Sequence, residues 1–341
     1  MKYIIDVEVE ESLEASSKPR ADIDRILEKA GWKRINIVSL KKKSIFRQIY
    51  MIFRLLWIFR FIKKEDLVLV QWRVTLLKPF SKYGFERLVS GKKILFLHDI
   101  DSLRHEETSF YERERFNRYD AIIAHTEKMK DWLLKRGIHT EIFVLGIFDY
   151  LLERTENRET RKEESTYRVA YAGNLSRSKS EFLYHDYEPD SYQLYLYGTG
   201  FSGSEGKNKL YQGTFKPDEI ARKIVGEFGL VWDGSDLNEC KGNYGNYLKY
   251  NCPHKMAMYM AAGLPVIIWS EAAMASFVKE NGIGICIQSI YDIDVILKNF
   301  TDKEYQRLLI NVRDHQCRIT KGYYITKVME KVEKYLEGGH N

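Results

Sequence analysis

The chain has 341 residues, of which 44% are hydrophobic and 30% charged, which is typical of a globular protein long enough for two domains. The net charge is +6, and basic residues are interspersed with acidic ones rather than gathered in one stripe, which argues against a nucleic-acid binder. Four cysteines without a C-x-x-C pair predict reduced thiols rather than a metal site or disulfide framework.

The first half of the chain alternates strand-like and helix-like segments. No apolar signal-peptide core precedes the first strand, so we expect a cytoplasmic protein. The predicted strands cover residues 2–9, 34–38, 66–71, 93–97 and 121–124, and the predicted helices cover residues 22–31, 45–61, 106–118 and 127–136. This alternation predicts a doubly wound parallel sheet.

One apolar stretch, residues 45–62, could suggest a membrane segment. It contains Arg47, Arg54 and Arg60, and a membrane-spanning helix would bury all three cations. We therefore expect an amphipathic helix packed on the sheet, with a helix lying on the inner leaflet as the alternative.

Residues 152–166 are almost entirely polar and charged, and they predict a solvated connector. A second series of strands follows at 167–172, 192–197, 229–232, 266–268 and 283–287, with a helix at 217–227 and a helical tail over 302–336. The predicted organisation is a first doubly wound domain over 1–152, a linker over 153–166 and a second doubly wound domain over 167–315. A C-terminal helix over 316–341 can return to the first domain.

The most informative segment is residues 253–268. Lys255, Met256, Tyr259, Met260 and Ala262 recur at helical spacing, and Gly263 and Pro265 then end the helix. A buried strand follows, and a second helix opens between residues 271 and 276 and ends near residue 282. Ligands bind at the strand ends of such parallel sheets, where helix N-termini can meet phosphate.

Short patches along nearly the whole chain resemble one superfamily. They are residues 98–100, 119–126, 172–177, 215–219, 229–232, 255–267, 281–284 and 321–324. In this order they resemble the GT-B glycosyltransferases, and within them the bacterial glucosyltransferases that extend glycans on serine-rich adhesins and the related galactofuranosyltransferases. The resemblance implies an α/β fold of two doubly wound Rossmann-like domains facing across a cleft. It also implies transfer of glucose, galactose or galactofuranose from a UDP-sugar to a glycan or glycosylated-protein acceptor, in surface polysaccharide or glycoprotein synthesis.

The resemblance also implies a donor site in the second half. Arg177 and Lys255 would contact the donor diphosphate, where cations stabilise the charge that develops on the leaving group; no metal or other cofactor is then required. The remaining donor-site candidates are Gly173, Asn174, Phe215, Ala273, Met274 and Ser276. Phe215 either stacks on uracil or lies in the core, and Ser276 stands where many relatives carry a ribose-binding glutamate. The stretch from Asp233 to Asp236 predicts a turn rather than a metal site.

In the first half, His98 and Asp99 end a predicted strand. An attacking acceptor hydroxyl must lose its proton, so Asp99 is the first candidate for the base and His98 the second. Asp99 could instead cap the next segment, and His98 could be a core histidine. The candidate acceptor-binding residues are Ser16, Ser17, Arg20 and His125.

Two other functions remain open from the sequence. A sugar-nucleotide epimerase on the same fold would act on the donor alone, and a non-catalytic UDP-sugar-binding subunit of a glycosylation complex would release no product. A membrane surface and a second copy of the chain are further candidate partners.

Overall fold

The computed structural model describes residues 1–8, 17–38, 45–72, 85–105, 110–152 and 166–338. The chain divides into two compact units. The first contains the N-terminal sheet together with the C-terminal residues from Ile325 onward. The second runs from Ile147 to Tyr324 and includes a short N-terminal stretch that ends at Pro19. Each unit is built on a six-stranded parallel sheet, so the predicted α/β class with two doubly wound sheets is confirmed.

The first sheet has the strand order β2-β1-β3-β4-β5-β6, and its neighbouring strands are parallel. The strands are β1 (Lys2–Glu8), β2 (Lys33–Val38), β3 (Leu67–Gln71), β4 (Lys92–Phe96), β5 (Ala121–Ala124) and β6 (Ile142–Val144). The helices in this part of the chain are α1 (Ser17–Lys29), α2 (Ile45–Phe59), α3 (Asp101–Arg104), α4 (Phe110–Phe116) and α5 (Glu127–Lys135). The C-terminal helix α12 (Tyr323–Gly338) contacts this unit, with Lys2 Nζ 2.8 Å from Glu333 Oε2.

The second sheet has the order β12-β11-β10-β7-β8-β9, also with parallel neighbours. The strands are β7 (Tyr167–Asn174), β8 (Tyr192–Thr199), β9 (Lys209–Tyr211), β10 (Phe228–Val231), β11 (Val266–Trp269) and β12 (Gly284–Ile287). The helices are α6 (Pro217–Lys223), α7 (Gly242–Tyr247), α8 (His254–Ala261), α9 (Ala275–Asn281), α10 (Tyr291–Asn299) and α11 (Asp302–Ile319). This is the Rossmann strand order, with its reversal between β7 and β10.

Local signals in the sequence account for most of these elements. The central strands β3, β5, β10 and β11 are buried along their whole length, as expected for parallel strands covered on both faces. Thr301 and Glu304 form a capping box at the start of α11. Gly282 ends α9 in the left-handed conformation that favours glycine, where the sequence predicts the end of this helix.

The structure corrects several predicted boundaries. Helix α1 begins at Ser17 rather than at residue 22, because Pro19 lies in the first turn, where a helix tolerates proline. Helix α6 ends at Lys223 instead of residue 227, and the helical tail is divided into α11 and α12. Strands β6 and β9 have three residues each and were not predicted. Residues 153–165 of the predicted linker lie outside the described residues.

The strands β7 and β10 diverge at the reversal point of the second sheet. Two residue pairs join them, Val169 with Phe228 and Ala170 with Gly229. Beyond these pairs, the Tyr259 hydroxyl of α8 accepts from Ala172 N at 2.7 Å and donates to Leu230 O at 3.2 Å. A Cβ at Gly229 would lie 2.2 Å from Tyr259 Cγ, so only glycine lets the tyrosine ring approach the strand this closely. Tyr259 thus closes the gap that the diverging strands leave.

We expect Tyr259→Phe to destabilise the protein. The change leaves the Ala172 N–H and the Leu230 carbonyl without their shared partner, and an unsatisfied buried polar group costs about 1–3 kcal/mol. Urea unfolding of the wild type and the variant measures the difference. Tyr195→Phe is the matched control, because within the described parts of the chain the Tyr195 hydroxyl donates to a side-chain oxygen, that of Gln193, at 3.2 Å and not to the backbone. Equal unfolding midpoints for the two variants would contradict the bridging role.

Candidate active site

The first group of candidate residues lies where β7 and β10 end, beside the first turn of α8. Such a reversal point in a parallel sheet is the usual ligand site of doubly wound folds. Gly173 and Asn174 are the last residues of β7, Asp233 follows β10, and Lys255 is the second residue of α8. A Cβ at Gly173 would lie 4.0 Å from Lys255 Nζ. The structure therefore brings two of the donor-site candidates, Gly173 and Lys255, together.

Lys255 is a buried cation held by an ion pair. Its Nζ donates to Asp233 Oδ1 at 2.9 Å and to Trp232 O at 3.2 Å, and the Lys255 and Asp233 side chains are 12% and 9% exposed. The Nζ also lies 4.3 Å from the centre of the Tyr171 ring. Burial lowers the pKa of Lys255, which the Asp233 carboxylate opposes and the charge of Lys179 reinforces.

A hydroxyl network connects Asp233 to the end of β7. The Tyr171 hydroxyl lies 3.1 Å from Asp233 Oδ1 and 2.7 Å from Ser180 Oγ, which in turn donates to Asn174 O at 2.8 Å. Burial raises the pKa of Tyr171 well above its usual value, so this hydroxyl keeps its proton. The network holds the loop of residues 174–180 against the ion pair.

The loop of residues 174–180 carries two further cations. Arg177 is exposed, and its guanidinium lies 4.8 Å from the centre of the Tyr184 ring. Lys179 is half-buried and is close enough to Lys255 to influence its pKa. Asn174 is exposed, and its Oδ1 accepts from Ser176 N at 2.9 Å. Sequence reasoning selected Arg177 from this loop and missed Lys179, although both are basic and only two positions apart.

The other donor-site candidates lie elsewhere in the second unit. Phe215 is half-buried, with its ring 6.2 Å from that of Tyr197. Ala273 N already donates to Leu248 O at 2.8 Å, and the Met274 side chain is buried. Ser276 is exposed on the first turn of α9. Of these residues, Ser276 retains an exposed polar group for a ligand, and the donor contacts of all four stay predictions.

The two aspartates after β10 have separate partners. Asp233 binds Lys255, whereas Asp236 accepts from Asn238 N at 2.8 Å and pairs with Lys241 at 3.3 Å. Among the described residues, no cluster of three or more His, Cys, Asp or Glu side chains has the arrangement of a metal site. The functional residue that sequence reasoning missed here is Asp233, which it interpreted only as part of a turn.

In the first unit, His98 heads a chain of polar contacts at the end of β4. Its Nε2 lies 2.7 Å from Gln71 Oε1, and Gln71 Nε2 donates to Asp24 Oδ1 at 2.7 Å. Asp24 is itself ion-paired with Arg34 at 2.9 Å. Because the carboxylate can only accept, the Gln71 amide nitrogen must face Asp24, and its oxygen then accepts from His98 Nε2–H. In the neutral ring this leaves Nδ1 as the basic nitrogen of His98.

Asp99 lies beside His98 but in a different setting. Its side chain is 49% exposed and forms an ion pair with Arg104 at the end of α3. The ion pair engages Oδ1 of Asp99, whereas His98 contacts a neutral amide, that of Gln71. The two candidates for the base therefore differ in their partners, and the choice between them stays a prediction.

His125 follows β5 and is buried at 2% exposure, with Nε2 3.0 Å from Leu97 O. The acceptor contact predicted for His125 stays a prediction. Burial lowers the pKa of His125 to about 4, so the ring is neutral at pH 7.

The depressed pKa of His125 predicts a loss of stability in weak acid. Between its usual value near 6.5 and about 4, the unfolded chain binds a proton that the folded chain refuses, so stability falls as the pH falls. From pH 7 to pH 5 the expected loss from this residue is about 2 kcal/mol. We expect the melting temperature of His125→Gln to change less than that of wild type over this interval. If the melting temperatures of the two proteins fall equally between pH 7 and pH 5, this prediction is contradicted.

Two of the remaining acceptor-site candidates, Ser17 and Arg20, occupy the first turn of α1 rather than a loop. Arg20 donates to the carbonyls of Gln71 at 3.3 Å and Trp72 at 2.6 Å, and so binds the end of β3. Ser17 is the first residue of the helix. Ser16 lies outside the described residues. The acceptor contacts of these residues stay predictions.

The fold agrees with known structures. The chain is similar to sucrose-phosphate synthase from Thermosynechococcus elongatus, with a TM-score of 0.65 and 12% identity over 99% of each chain. It is also similar to an α-glucosyltransferase solved in complex with UDP, with a TM-score of 0.61 and 12% identity over 99% of this chain and 100% of the other. At such identities the likeness concerns the fold, and that fold is GT-B.

Sequence comparisons define the family. Residues 1–147 match the model of the Glucosyltransferase 3-like N-terminal domain, and residues 169–332 match that of the C-terminal domain. The chain is 34% identical over 252 residues to β-1,6-galactofuranosyltransferase WbbI of Escherichia coli (strain K12), covering 73% of each chain. It is 26% identical over 248 residues to Glucosyltransferase 3 of Streptococcus gordonii, covering 71% of each. The chain belongs to the Glucosyltransferase 3-like family and is a glycosyltransferase.

Proposed function

We propose that the protein transfers a glucosyl, galactosyl or galactofuranosyl group from a UDP-sugar to a glycan or glycosylated acceptor, without a metal ion. The observation that carries this proposal is the buried Lys255 ammonium at the reversal point of the second sheet, at the first turn of α8. A fixed cation at a helix N-terminus suits a pyrophosphate. The known relatives named for galactofuranosyl and glucosyl transfer support the sugar class.

The proposed reaction has one bond-forming and one bond-breaking event. The acceptor hydroxyl oxygen bonds to the anomeric carbon, the bond between that carbon and the phosphate oxygen breaks, and UDP leaves with the electron pair. Lys255 stabilises the negative charge that develops on the pyrophosphate, in the role that a metal ion has in other enzymes. Arg177 and Lys179 add positive charge from the neighbouring loop. Lys255 would then exchange Asp233 for a phosphate oxygen as its partner.

We propose that His98 Nδ1 accepts the proton of the acceptor hydroxyl. The other ring nitrogen of His98 donates to Gln71, whose amide is oriented by Asp24. This contact fixes the tautomer in which Nδ1 is the basic nitrogen. Asp99 is the second candidate. We further propose that transfer takes place in the cytoplasm, which the free thiol state of all four cysteines favours.

A turnover assay tests this function. UDP-glucose, UDP-galactose and UDP-galactofuranose are incubated in turn with a glycan acceptor, and released UDP and the glycosylated product are both measured, with GDP-mannose as the control donor. We expect acceptor-dependent release of UDP from at least one UDP-sugar and full activity in excess EDTA. Loss of activity in EDTA would contradict the metal-free mechanism. Conversion of the donor sugar without acceptor would indicate an epimerase, and binding of UDP without turnover would indicate a non-catalytic subunit.

A further inference from the structure

Helix α2 presents an uncovered apolar face on the first unit. Leu55, Phe59 and Ile62 are buried and attach this part of the chain to the unit. On the other side, the exposed hydrophobic side chains are Ile49, Tyr50, Phe53, Leu56, Trp57 and Phe61, at 41% to 67% exposure. Single exposed apolar residues are common on protein surfaces, but a contiguous aromatic patch indicates a binding surface.

The exposed side chains form one continuous patch. The Trp57 and Phe61 rings pack edge to face with their centres 4.9 Å apart. A shallow depression on the same surface is lined by Tyr50, Phe53, Arg54, Leu56, Trp57 and Arg60. We call the surface formed by these six residues and Phe61 the α2 face. It combines aromatic rings with guanidinium groups, as helices that lie in a membrane interface do.

The charge of this segment is strongly one-sided. Residues 41–64 contain eight lysines and arginines and no aspartate or glutamate. The whole chain has a net charge of +6, so the rest of the protein is slightly acidic on balance. Arg54, Arg60, Lys63 and Lys64 are all exposed. The segment thus breaks the mixed charge pattern of the rest of the chain.

We propose that the α2 face binds the surface of an anionic lipid bilayer. Acidic headgroups neutralise the cations of the segment, while Tyr50, Phe53 and Trp57 insert at the boundary between headgroups and acyl chains. A second copy of the chain fits this surface less well, because it would bring another eight positive charges against the first set. Within the described residues, no helix combines the length and apolar character needed to cross a bilayer. The contact is therefore peripheral.

Vesicle co-sedimentation of the full chain tests the proposal. We expect binding to vesicles of phosphatidylglycerol and phosphatidylcholine, weak binding to phosphatidylcholine alone, and release at high salt. Arg54→Gln with Arg60→Gln should weaken binding by about twenty-fivefold, at about fivefold for each cation near the surface. Phe53→Ser with Trp57→Ser should weaken it by about tenfold or more. Brominated lipid should quench tryptophan emission in wild type and clearly less in Trp57→Phe, which keeps an aromatic ring.

Matched controls lie on helices of the second unit. Ile310→Ser removes a side chain that is 64% exposed on α11, and Arg222→Gln with Lys223→Gln removes two exposed cations at the end of α6. These variants should bind vesicles like wild type. The proposal is overturned if anionic vesicles do not bind, or if the α2 variants bind as well as the controls do. It is also overturned if the protein forms a dimer through the α2 face in lipid-free solution and does not bind vesicles. If the serine variants fail to fold, the glutamine variants and Trp57→Phe still decide the question.

Discussion

Lys255→Met is expected to lower the rate of sugar transfer by about a hundredfold to a thousandfold at saturating donor. The substitution removes the cation that faces the leaving pyrophosphate, and a single preorganised donor of this kind contributes an effect of that size. It also leaves Asp233 buried without its ion-pair partner. Breaking such a pair costs about 3–5 kcal/mol of stability, so the melting temperature should fall together with the activity.

A double variant separates these two effects. Lys255→Met combined with Asp233→Asn removes both charges, so no uncompensated carboxylate remains beside Tyr171. We expect the melting temperature to return toward that of wild type while the transfer rate stays low. Lys255→Arg, which keeps the positive charge, should be more active than either variant. Wild-type turnover by the stable double variant would remove Lys255 from the mechanism.

Replacement of His98 is the second change with a large expected effect. We expect His98→Gln to lower kcat by about a hundredfold to ten-thousandfold, the range that general bases contribute. Glutamine can still contact Gln71, but it has no nitrogen that can take the acceptor proton. The KM for the donor should change little, because the donor candidates lie in the second unit.

Asp99→Asn is the matched comparison for His98→Gln. The Asp99 carboxylate is half exposed and paired with Arg104, and we expect its loss to cost less activity than the loss of the imidazole. Both variants should be measured with the same donor and acceptor, and the release of UDP should be followed separately from product formation. A larger loss in Asp99→Asn than in His98→Gln would reverse the assignment.

Much of the fold could be predicted because its signals are local. The strand and helix alternation, the end of α9 at Gly282 and the position of Lys255 on a helix all follow from patterns a few residues long. The partners of these residues could not be predicted in the same way. Asp233 precedes Lys255 by 22 positions, and only the order and register of β10 and α8 bring the two side chains together.

The first unit shows the same limit. His98 reaches Gln71 across 27 positions, and Gln71 reaches Asp24 across 47, so the tautomer of the histidine depends on pairing in the sheet. The position of His125 at a strand end could be predicted, but its burial could not, because it depends on the chain that covers it. The three-residue strands β6 and β9 are too short for alternation to be visible in the sequence.

The two roles of α8 have a consequence for how this enzyme can change. Lys255 and Tyr259 are one helical turn apart and lie on the same side of α8. The helix whose Tyr259 hydroxyl joins the diverging strands therefore also positions the Lys255 ammonium. Mutations that shift this helix would open the sheet, whereas the exposed positions of the loop of residues 174–180, such as Ser178, can vary without that effect. Evolution of a new sugar preference is therefore expected to proceed through the loop, and a saturation library covering both elements would show far more tolerated substitutions there than on α8.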